Sequence, residues 1–154
     1  MDNKSAKVLK AREYFLEGYN CAQSVFTAFC HRFGMDEDTA KRVSAGLGGG
    51  VGRMREVCGA VSGAAMVIGS LCAATEGDYN ESKMRNYELV REFADRFNAI
   101  HGSVVCRDLL KLGIKMEDTA KPDSRNAQYY KSRPCLKVVE DAAGILMQMI
   151  EENE

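Results

Sequence analysis

The chain has 154 residues, of which 45% are apolar and 28% charged, a length and composition typical of one domain with a proper hydrophobic core. Its 21 basic and 22 acidic side chains nearly cancel, and the net charge of -1 argues against nucleic acid as the main partner, because duplex binding depends on a concentrated basic patch. The unusual count is six cysteines, which would form a disulfide framework in a secreted protein and a redox or metal site in a cytosolic one.

The N-terminal segment favours the second of these alternatives. Charged side chains run through residues 1–18, and no apolar stretch of the kind that a signal peptide needs is present there. We therefore expect a cytoplasmic protein. A core of this size also needs no disulfides to hold it together, which favours free thiols.

Helical periodicity begins at the N-terminus. Apolar residues share one face over residues 4–17, and Gly18 follows as a C-terminal stop. Asn20 is a suitable N-cap, with Gln23 three residues on, for a second helix that runs to about Phe33. A short third helix is predicted from residue 36 through residue 45.

A glycine-rich segment, GLGGGVG at residues 46–52, predicts a loop. It lacks the Gly-Lys-Ser/Thr of a nucleotide P-loop, and no strand precedes it, so a phosphate-binding motif is not supported. The remaining interpretation is a tight backbone segment that lets the chain pass close to a neighbouring site. An anion contact there would use Gly49, Gly50, Arg53 and Arg55.

Residues 57–75 carry no charged side chain and would span about 28 Å as a helix, so a membrane span has to be considered. More than half of this segment is Gly, Ala, Ser or Thr, which offers lipid little apolar surface. We therefore expect no membrane-spanning segment. The preferred interpretation is the central helix of a bundle, with small residues that let its neighbours pack closely.

The second half of the chain predicts further helices and one polar loop. Residues 80–100 form an amphipathic pattern, and Ser103 caps a short helix that ends near residue 112. Residues 115–132 predict a surface loop, and Ser132 caps a last helix through residue 150. The apolar stripe predicted for 80–100 consists of Met84, Tyr87, Leu89, Val90, Phe93, Phe97 and Ile100. The sequence thus predicts an all-α, single-domain bundle of about six helices over residues 1–154.

Four of the six cysteines fall at predicted helix starts: Cys21, Cys58, Cys106 and Cys135. Unpaired backbone N–H groups and the positive end of the helix dipole stabilise a thiolate there and lower its pKa. Cys30 and Cys72 differ, because they come late in their helices. Arg53 and Arg55 precede Cys58, Arg107 follows Cys106 and Arg133 precedes Cys135, so these arginines would favour the thiolates further.

The spacing of these cysteines excludes several familiar sites. No C-x-x-C occurs, which argues against a thioredoxin motif, a zinc ribbon and a c-type haem attachment site. A site built from four separate helix starts is still allowed, either as two dithiols or as a four-thiolate metal or iron–sulfur centre. Neither His31 nor His101 has the spacing of a metal motif, and we expect both to lie outside the site.

The sequence resembles the C_GCAxxG_C_C family of redox-active proteins. The likeness is carried by EGYNCAQSVF around Cys21, the glycine block joined to CGAVSG at residues 58–63, GSVVCRDLL around Cys106 and RPCLKVVEDAAGIL around Cys135. The resemblance implies that these four cysteines are the family's own and that Cys30 and Cys72 are additional. It brings no substrate or cofactor with it.

Three functional hypotheses follow. The first is a redox protein with thiol–disulfide oxidoreductase activity, in which the four thiols converge, Cys58 is the most activated and one of the others resolves the mixed disulfide. The second is a metal or iron–sulfur protein that uses the same four thiolates to carry electrons or to sense redox state. The third is an interaction module in which the cysteines only pack. The first two hypotheses imply a redox partner protein. The sequence does not decide whether the protein forms a homodimer.

Overall fold

The structure, a computed structural model, describes residues 2–73, 77–111 and 119–154, and helices make up its regular structure. The helices are α1 (Asn3–Leu16), α2 (Cys21–Ala28), α3 (Glu37–Ser44), α4 (Gly59–Cys72), α5 (Tyr79–His101), α6 (Cys106–Leu109), α7 (Ala127–Ser132) and α8 (Cys135–Glu152). Within those ranges the only β pairing is one isolated antiparallel bridge between Val57 and Val105. The all-α prediction is confirmed, with eight helices described rather than about six.

The hydrophobic core lies between α1, α2, α4, α5 and α8, whose buried side chains form one contiguous cluster. Helix α8 packs on α1 and also contacts α2, α4 and α5. Six of the seven side chains predicted for its buried face are buried: Val138, Val139, Ala142, Ala143, Leu146 and Met149. The seventh, Ile150, is half-buried. The 3.6-residue period of this segment therefore predicted its packing correctly.

Small residues on α4 bring it close to α2, as the sequence predicted. A Cβ atom placed on Gly63 would lie 2.9 Å from the carbonyl oxygen of Ala22, and one on Gly59 would lie 3.0 Å from the Ala22 nitrogen. The distance at Gly63 is shorter than real Cβ contacts, so a larger residue there would push the helices apart, and the distance at Gly59 is tighter than most such contacts. The close packing sets the beginning of α2 beside the beginning of α4.

Two helices differ from their predicted course. Helix α2 ends at Ala28, and the chain continues as a 3-10 turn over Cys30–Phe33 that Gly34 terminates with a φ of 71°. Helix α4 ends at Cys72, and residues 74 and 75 of its predicted span lie outside the described residues.

The predicted stripe of α5 is only partly correct. Leu89, Phe93 and Phe97 are buried, whereas the side chains of Met84 and Tyr87 are exposed by 58% and 59%. The buried residues recur every four positions, and Met84 and Tyr87 fall on the opposite side of the helix, away from α4 and α8. Ile100, in the last turn of α5, is exposed as well.

The polar segment predicted as a loop over 115–132 contains a helix. Residues 127–132 form α7, with the side chain of Asn126 accepting a hydrogen bond from the Tyr129 backbone N–H, while 115–118 lie outside the described residues. Ser132 consequently ends α7, and Pro134 occupies the N-cap position of α8. Helix α6 begins at Cys106 after Val105, not directly after Ser103, and residue 112 of its prediction is also outside the described residues.

The prediction about membrane spans was tested on the helices of the described residues. None of these helices is both long enough and apolar enough to cross a bilayer.

Candidate functional site

A cavity of about 60 Å³ lies where four helices begin, and Cys21, Cys58, Cys106 and Cys135 all line it. Three of these cysteines are the first residues of α2, α6 and α8, and Cys58 occupies the N-cap position of α4. All are free thiols in the structure. The cavity thus brings together residues that are up to 114 positions apart in the sequence.

The other two cysteines lie away from this cavity. Cys30 is fully buried in the 3-10 turn after α2, and Cys72 is exposed at the end of α4. This division matches the one drawn from helix position.

An antiparallel pairing holds Cys58 next to Cys106. The backbone N–H of Cys58 donates to the carbonyl of Val104 at 2.8 Å, and the N–H of Cys106 donates to that of Glu56 at 2.7 Å. The bridge between Val57 and Val105 is the centre of this pairing. Two helix starts that are 48 residues apart are therefore joined by backbone hydrogen bonds.

Cys21 and Cys135 interact with each other, and each shifts the pKa of the other. The Cys21 thiol hydrogen-bonds to the sulfur of Cys135, and this bond is the largest cause that lowers the pKa of Cys135 to about 7. The positive charges of Arg133, Arg125 and Arg55 lower the same pKa further, against the opposing effect of burial. The pKa of Cys21 is raised, because the same hydrogen bond favours its protonated form and burial adds to this.

Cys58 differs from the sequence-based expectation that it would be the most activated thiol. Burial raises its pKa to about 12, although the backbone N–H groups of Ala60 and Val61 favour the thiolate. Its side chain is only 5% exposed, and nearby cysteines would repel its charge. The helix start favours the Cys58 thiolate through these N–H groups, but the loss of solvent around the buried sulfur raises the pKa by more than they lower it.

Cys106 is held by a buried arginine. The Nη1 of Arg55 donates to the Cys106 sulfur at 3.7 Å, and the Arg55 side chain is only 6% exposed. Burial still raises the pKa of Cys106 overall, while the hydrogen bond and charge of Arg55 partly offset that rise. Arg107, the sequence neighbour that we expected to act on this cysteine, is not among the main causes of its pKa shift, whereas the charges of Arg55 and Arg133 are.

Arg125 and Arg133 come from the segment just before α8 and stand beside the cysteines. The guanidinium of Arg125 donates to the carbonyls of Phe15 and Tyr19 at 2.8 and 2.9 Å and lies 4.2 Å from the centre of the Phe15 ring. Arg133 lies over the ring of Tyr129 at 4.6 Å. Both arginines are thereby held in place at the cavity wall.

One carboxylate balances part of this positive charge. Asp123 accepts hydrogen bonds from Arg53 at 2.7 Å and from Arg133 at 2.6 Å, and it lies 3.8 Å from Arg55. The hydrogen bond from Arg53 is the largest cause that lowers the pKa of Asp123, so this carboxyl is ionised at neutral pH. Three guanidiniums therefore share a single carboxylate.

The glycine-rich segment lies against the site. Residues 49–53 all have positive φ, including the non-glycine residues Val51 and Arg53, and Arg55 follows with a φ of 62°. A Cβ atom on Gly50 would lie 2.7 Å from the Cβ of Cys106, and Gly48 makes a similarly close approach to Asn20, the residue before Cys21. This backbone conformation is rare for residues with a side chain. It places the side chains of Arg53 and Arg55 beside Asp123.

The remaining candidates lie apart. His31 is exposed in the 3-10 turn, and the Nε2 of His101 is 3.0 Å from Asp141 on α8. Within the described part of the chain, no three His, Cys, Asp or Glu side chains are grouped so that they could hold a metal ion.

Sequence reasoning missed Tyr129, Arg125 and Asp123 as residues of the site. They belong to the segment predicted as a polar surface loop, where charged residues are usually solvated. The available signal was the sequence around Tyr129 and Tyr130, because two aromatic residues in a polar stretch indicate a segment that packs onto the core.

Chemically, the site combines a polarised thiol pair with fixed positive charge. A thiolate at Cys135 is the reactive form for attack on a disulfide, and a second thiol in hydrogen-bond contact can resolve the product. The arginines stabilise negative charge at the same place.

A protein-family model matches most of the chain. The family model described as putative redox-active protein (C_GCAxxG_C_C) matches residues 19–149. No curated protein and no solved structure matches the chain.

Proposed function

Since the chain belongs to the C_GCAxxG_C_C family of redox-active proteins, we propose that it performs thiol–disulfide exchange with Cys135 as the attacking thiolate and Cys21 as the resolving thiol. The observation that carries this assignment is that Cys21 and Cys135 line one cavity together with Arg55, Arg125 and Arg133. The neighbouring Cys21 thiol and these three positive charges lower the pKa of Cys135 to about 7. Near pH 7 about half of such a thiol is ionised, compared with a few per cent of an ordinary cysteine.

The exchange proceeds in two steps. The Cys135 thiolate attacks one sulfur of a substrate disulfide, so that a Cys135–substrate disulfide forms and the other substrate sulfur leaves as a thiolate. Cys21 then gives up its proton, its sulfur attacks that of Cys135, and the second substrate sulfur leaves and takes up the proton. The protein ends with a Cys21–Cys135 disulfide, and the substrate has gained two electrons.

Cys58 and Cys106 are assigned a different role. Their pKa values are raised, so both stay protonated at neutral pH. They form the second dithiol of the site, which reacts only after deprotonation by a neighbouring thiolate. Their backbone pairing keeps them together while the Cys21–Cys135 pair changes state.

The metal alternative does not fit the described residues. The four cysteines line one cavity but are not grouped as ligands of a single ion, so we derive no step through a metal or an iron–sulfur cluster. Iron and zinc analysis of protein purified without oxygen checks this: a stoichiometric metal would contradict the dithiol assignment.

The exchange proposal is tested by measuring alkylation cysteine by cysteine. The reduced protein is treated with iodoacetamide over about pH 5 to 10, and each cysteine is quantified by mass spectrometry. We expect the Cys135 rate to rise with a midpoint near 7, because that is the pKa of the thiol. Incubation with hydroxyethyl disulfide should then yield a Cys21–Cys135 disulfide.

The matched control is Cys72→Ser, which removes an exposed thiol outside the cavity and should change neither result. Cys135→Ser should abolish both the low-pH alkylation and the disulfide. A Cys135 midpoint near the ordinary 9.0, together with no Cys21–Cys135 disulfide, would show that the proposal is wrong.

A further inference from the structure

A second cavity, of about 340 Å³, opens beside the cysteine cavity. Among the described residues the two share Asn20, Gly49, Arg55, Arg125, Tyr129 and Arg133. We call this second cavity the arginine groove. It is within the size range of sites for small molecules, whereas the cysteine cavity has room for little more than the reacting sulfur atoms.

Positive charge dominates the wall of the arginine groove. Arg53, Arg55, Arg125 and Arg133 line it, and Asp123 is the one carboxylate among its described lining residues. In the described part of the chain, Arg125 makes no ion pair, since its guanidinium donates to the carbonyls of Phe15 and Tyr19. The described lining of the groove thus carries an excess of positive charge in a protein whose net charge is -1.

Asp123 shows what kind of group these arginines bind. Its carboxylate accepts from both Arg53 and Arg133, and 41% of its side chain is exposed. Arginine side chains recognise carboxylates through paired charge-assisted hydrogen bonds. Among the described residues Arg53 donates from Nη2 to Asp123 and from Nη1 to Thr119, which leaves its Nε–H and the second N–H of Nη2 for another carboxylate. A carboxylate of a ligand is therefore the complementary group for the rest of the groove.

We propose that the arginine groove selects the substrate of this site, and that the substrate is a small disulfide bearing carboxylates. Its sulfur atoms enter the cysteine cavity and its carboxylates bind to the groove, with Arg53 and Arg125 as the principal contacts. The inference rests on the proposed exchange reaction and follows the same two steps. The reductant is the Cys21–Cys135 dithiol, and the disulfide is the oxidant.

Arg53 allows substrate binding to be separated from thiol activation. The charges that lower the pKa of Cys135 are those of Arg133, Arg125 and Arg55, so an Arg53→Gln variant changes the groove with the least effect on the thiol. Arg42→Gln is the matched control, because Arg42 is 80% exposed on α3 and lies outside both cavities.

The experiment compares three small disulfides: dithiodipropionate with two carboxylates, neutral hydroxyethyl disulfide and cystamine with two amines. The rate at which each disulfide oxidises the reduced protein is measured at pH 7 and low salt. Each rate is divided by the rate at which the same disulfide reacts with mercaptoethanol, which corrects for the intrinsic reactivity of the disulfide. We expect dithiodipropionate to exceed the neutral compound by about tenfold and cystamine to be the slowest. The ratio should fall several-fold in Arg53→Gln and in high salt, and stay unchanged in Arg42→Gln.

A second measurement does not depend on exchange. Glutarate, a dicarboxylate without sulfur, should slow the alkylation of Cys135 by iodoacetamide in a saturable way, and more weakly in Arg53→Gln. This effect would persist even if the protein reduced no disulfide, so it tests the groove separately from the proposed function.

The outcomes separate the two proposals. Equal normalised rates for the three disulfides, with no protection by glutarate, would overturn the groove's role and leave the exchange reaction intact. Protection by glutarate without oxidation by any disulfide would refute the exchange and support the carboxylate site. Oxidation only by disulfides within acidic peptides would overturn the assignment to a small molecule.

Discussion

At the scale of single residues, the site shows how two identical side chains acquire opposite properties. Cys21 and Cys135 both begin a helix, yet the pKa of the first is raised and that of the second is lowered. The difference arises because one thiol donates the hydrogen bond and the other accepts it, and because the arginines lie nearest to the acceptor. The position at a helix start is shared and does not decide which sulfur reacts.

Replacing the donor tests this explanation. In Cys21→Ala the midpoint of Cys135 alkylation should move from about 7 toward the ordinary value of 9.0, because the largest cause of the lowering is removed. The Cys135 rate at pH 7 should drop by about fivefold for the first unit of the shift and by about tenfold for the next. The measurement is the pH profile of alkylation, read by mass spectrometry.

Cys21→Ser is the control for that substitution, since a hydroxyl also donates a hydrogen bond. Its Cys135 midpoint should stay near that of the unmodified protein. The same low midpoint in both variants would contradict the assigned role of the hydrogen bond.

At the scale of helices, the contact between α2 and α4 sets the position of two of the four cysteines. Gly63 lets the backbone of α4 approach that of Ala22, which directly follows Cys21. Cys58 precedes α4 by one residue. A change in the distance between these helices therefore moves Cys21 relative to Cys58.

The pair of glycines on α4 provides a prediction with an internal control. Gly63→Ala places a Cβ 2.9 Å from the Ala22 oxygen, so the helices must separate, and we expect the free energy of unfolding to fall by about 1–3 kcal/mol. Gly69→Ala meets nothing closer than Asn86 at 3.8 Å, and the better helix propensity of alanine should raise stability by up to about 1 kcal/mol. Urea unfolding under reducing conditions measures both, and equal effects would contradict the tight contact.

At the scale of the whole molecule, buried neutral thiols couple the fold to alkaline pH. The folded-state pKa of Cys58 is raised to about 12, above its value in an unfolded chain. Its contribution to stability is complete below the unfolded pKa of about 9 and is lost as pH rises toward 12, because the unfolded chain releases the proton first.

The corresponding prediction compares two alanine variants. Between about pH 9 and 11 the free energy of unfolding should fall by up to about 1.4 kcal/mol per pH unit on account of Cys58. This part of the slope should disappear in Cys58→Ala and persist in Cys72→Ala, whose thiol is exposed. Chemical unfolding with a reductant present measures the slopes, and identical slopes in the two variants would refute a buried neutral thiol.

Much of this arrangement was predictable from sequence. The periodicity of the last predicted helix gave the buried face of α8, and Asn20 was correctly predicted as the N-cap before Cys21. The caps predicted for the helices of Cys106 and Cys135, Ser103 and Ser132, were wrong, because Val105 and Pro134 occupy those positions. What periodicity could not predict is desolvation, which depends on contacts between distant segments, so the acidity of Cys58 was misjudged. Arg125 and Asp123 were missed for a related reason: a polar segment becomes part of a site only where the folded chain packs it.

The backbone bridge between Val57 and Val105 closes a long loop, and with α2 and α8 it assembles the site from segments that are distant in the sequence. In the unfolded chain Cys135 keeps Arg133 as a sequence neighbour but has neither Cys21 nor Arg55 beside it, so we expect its thiol to have near-ordinary acidity there. Reactivity is thus acquired only with the native structure.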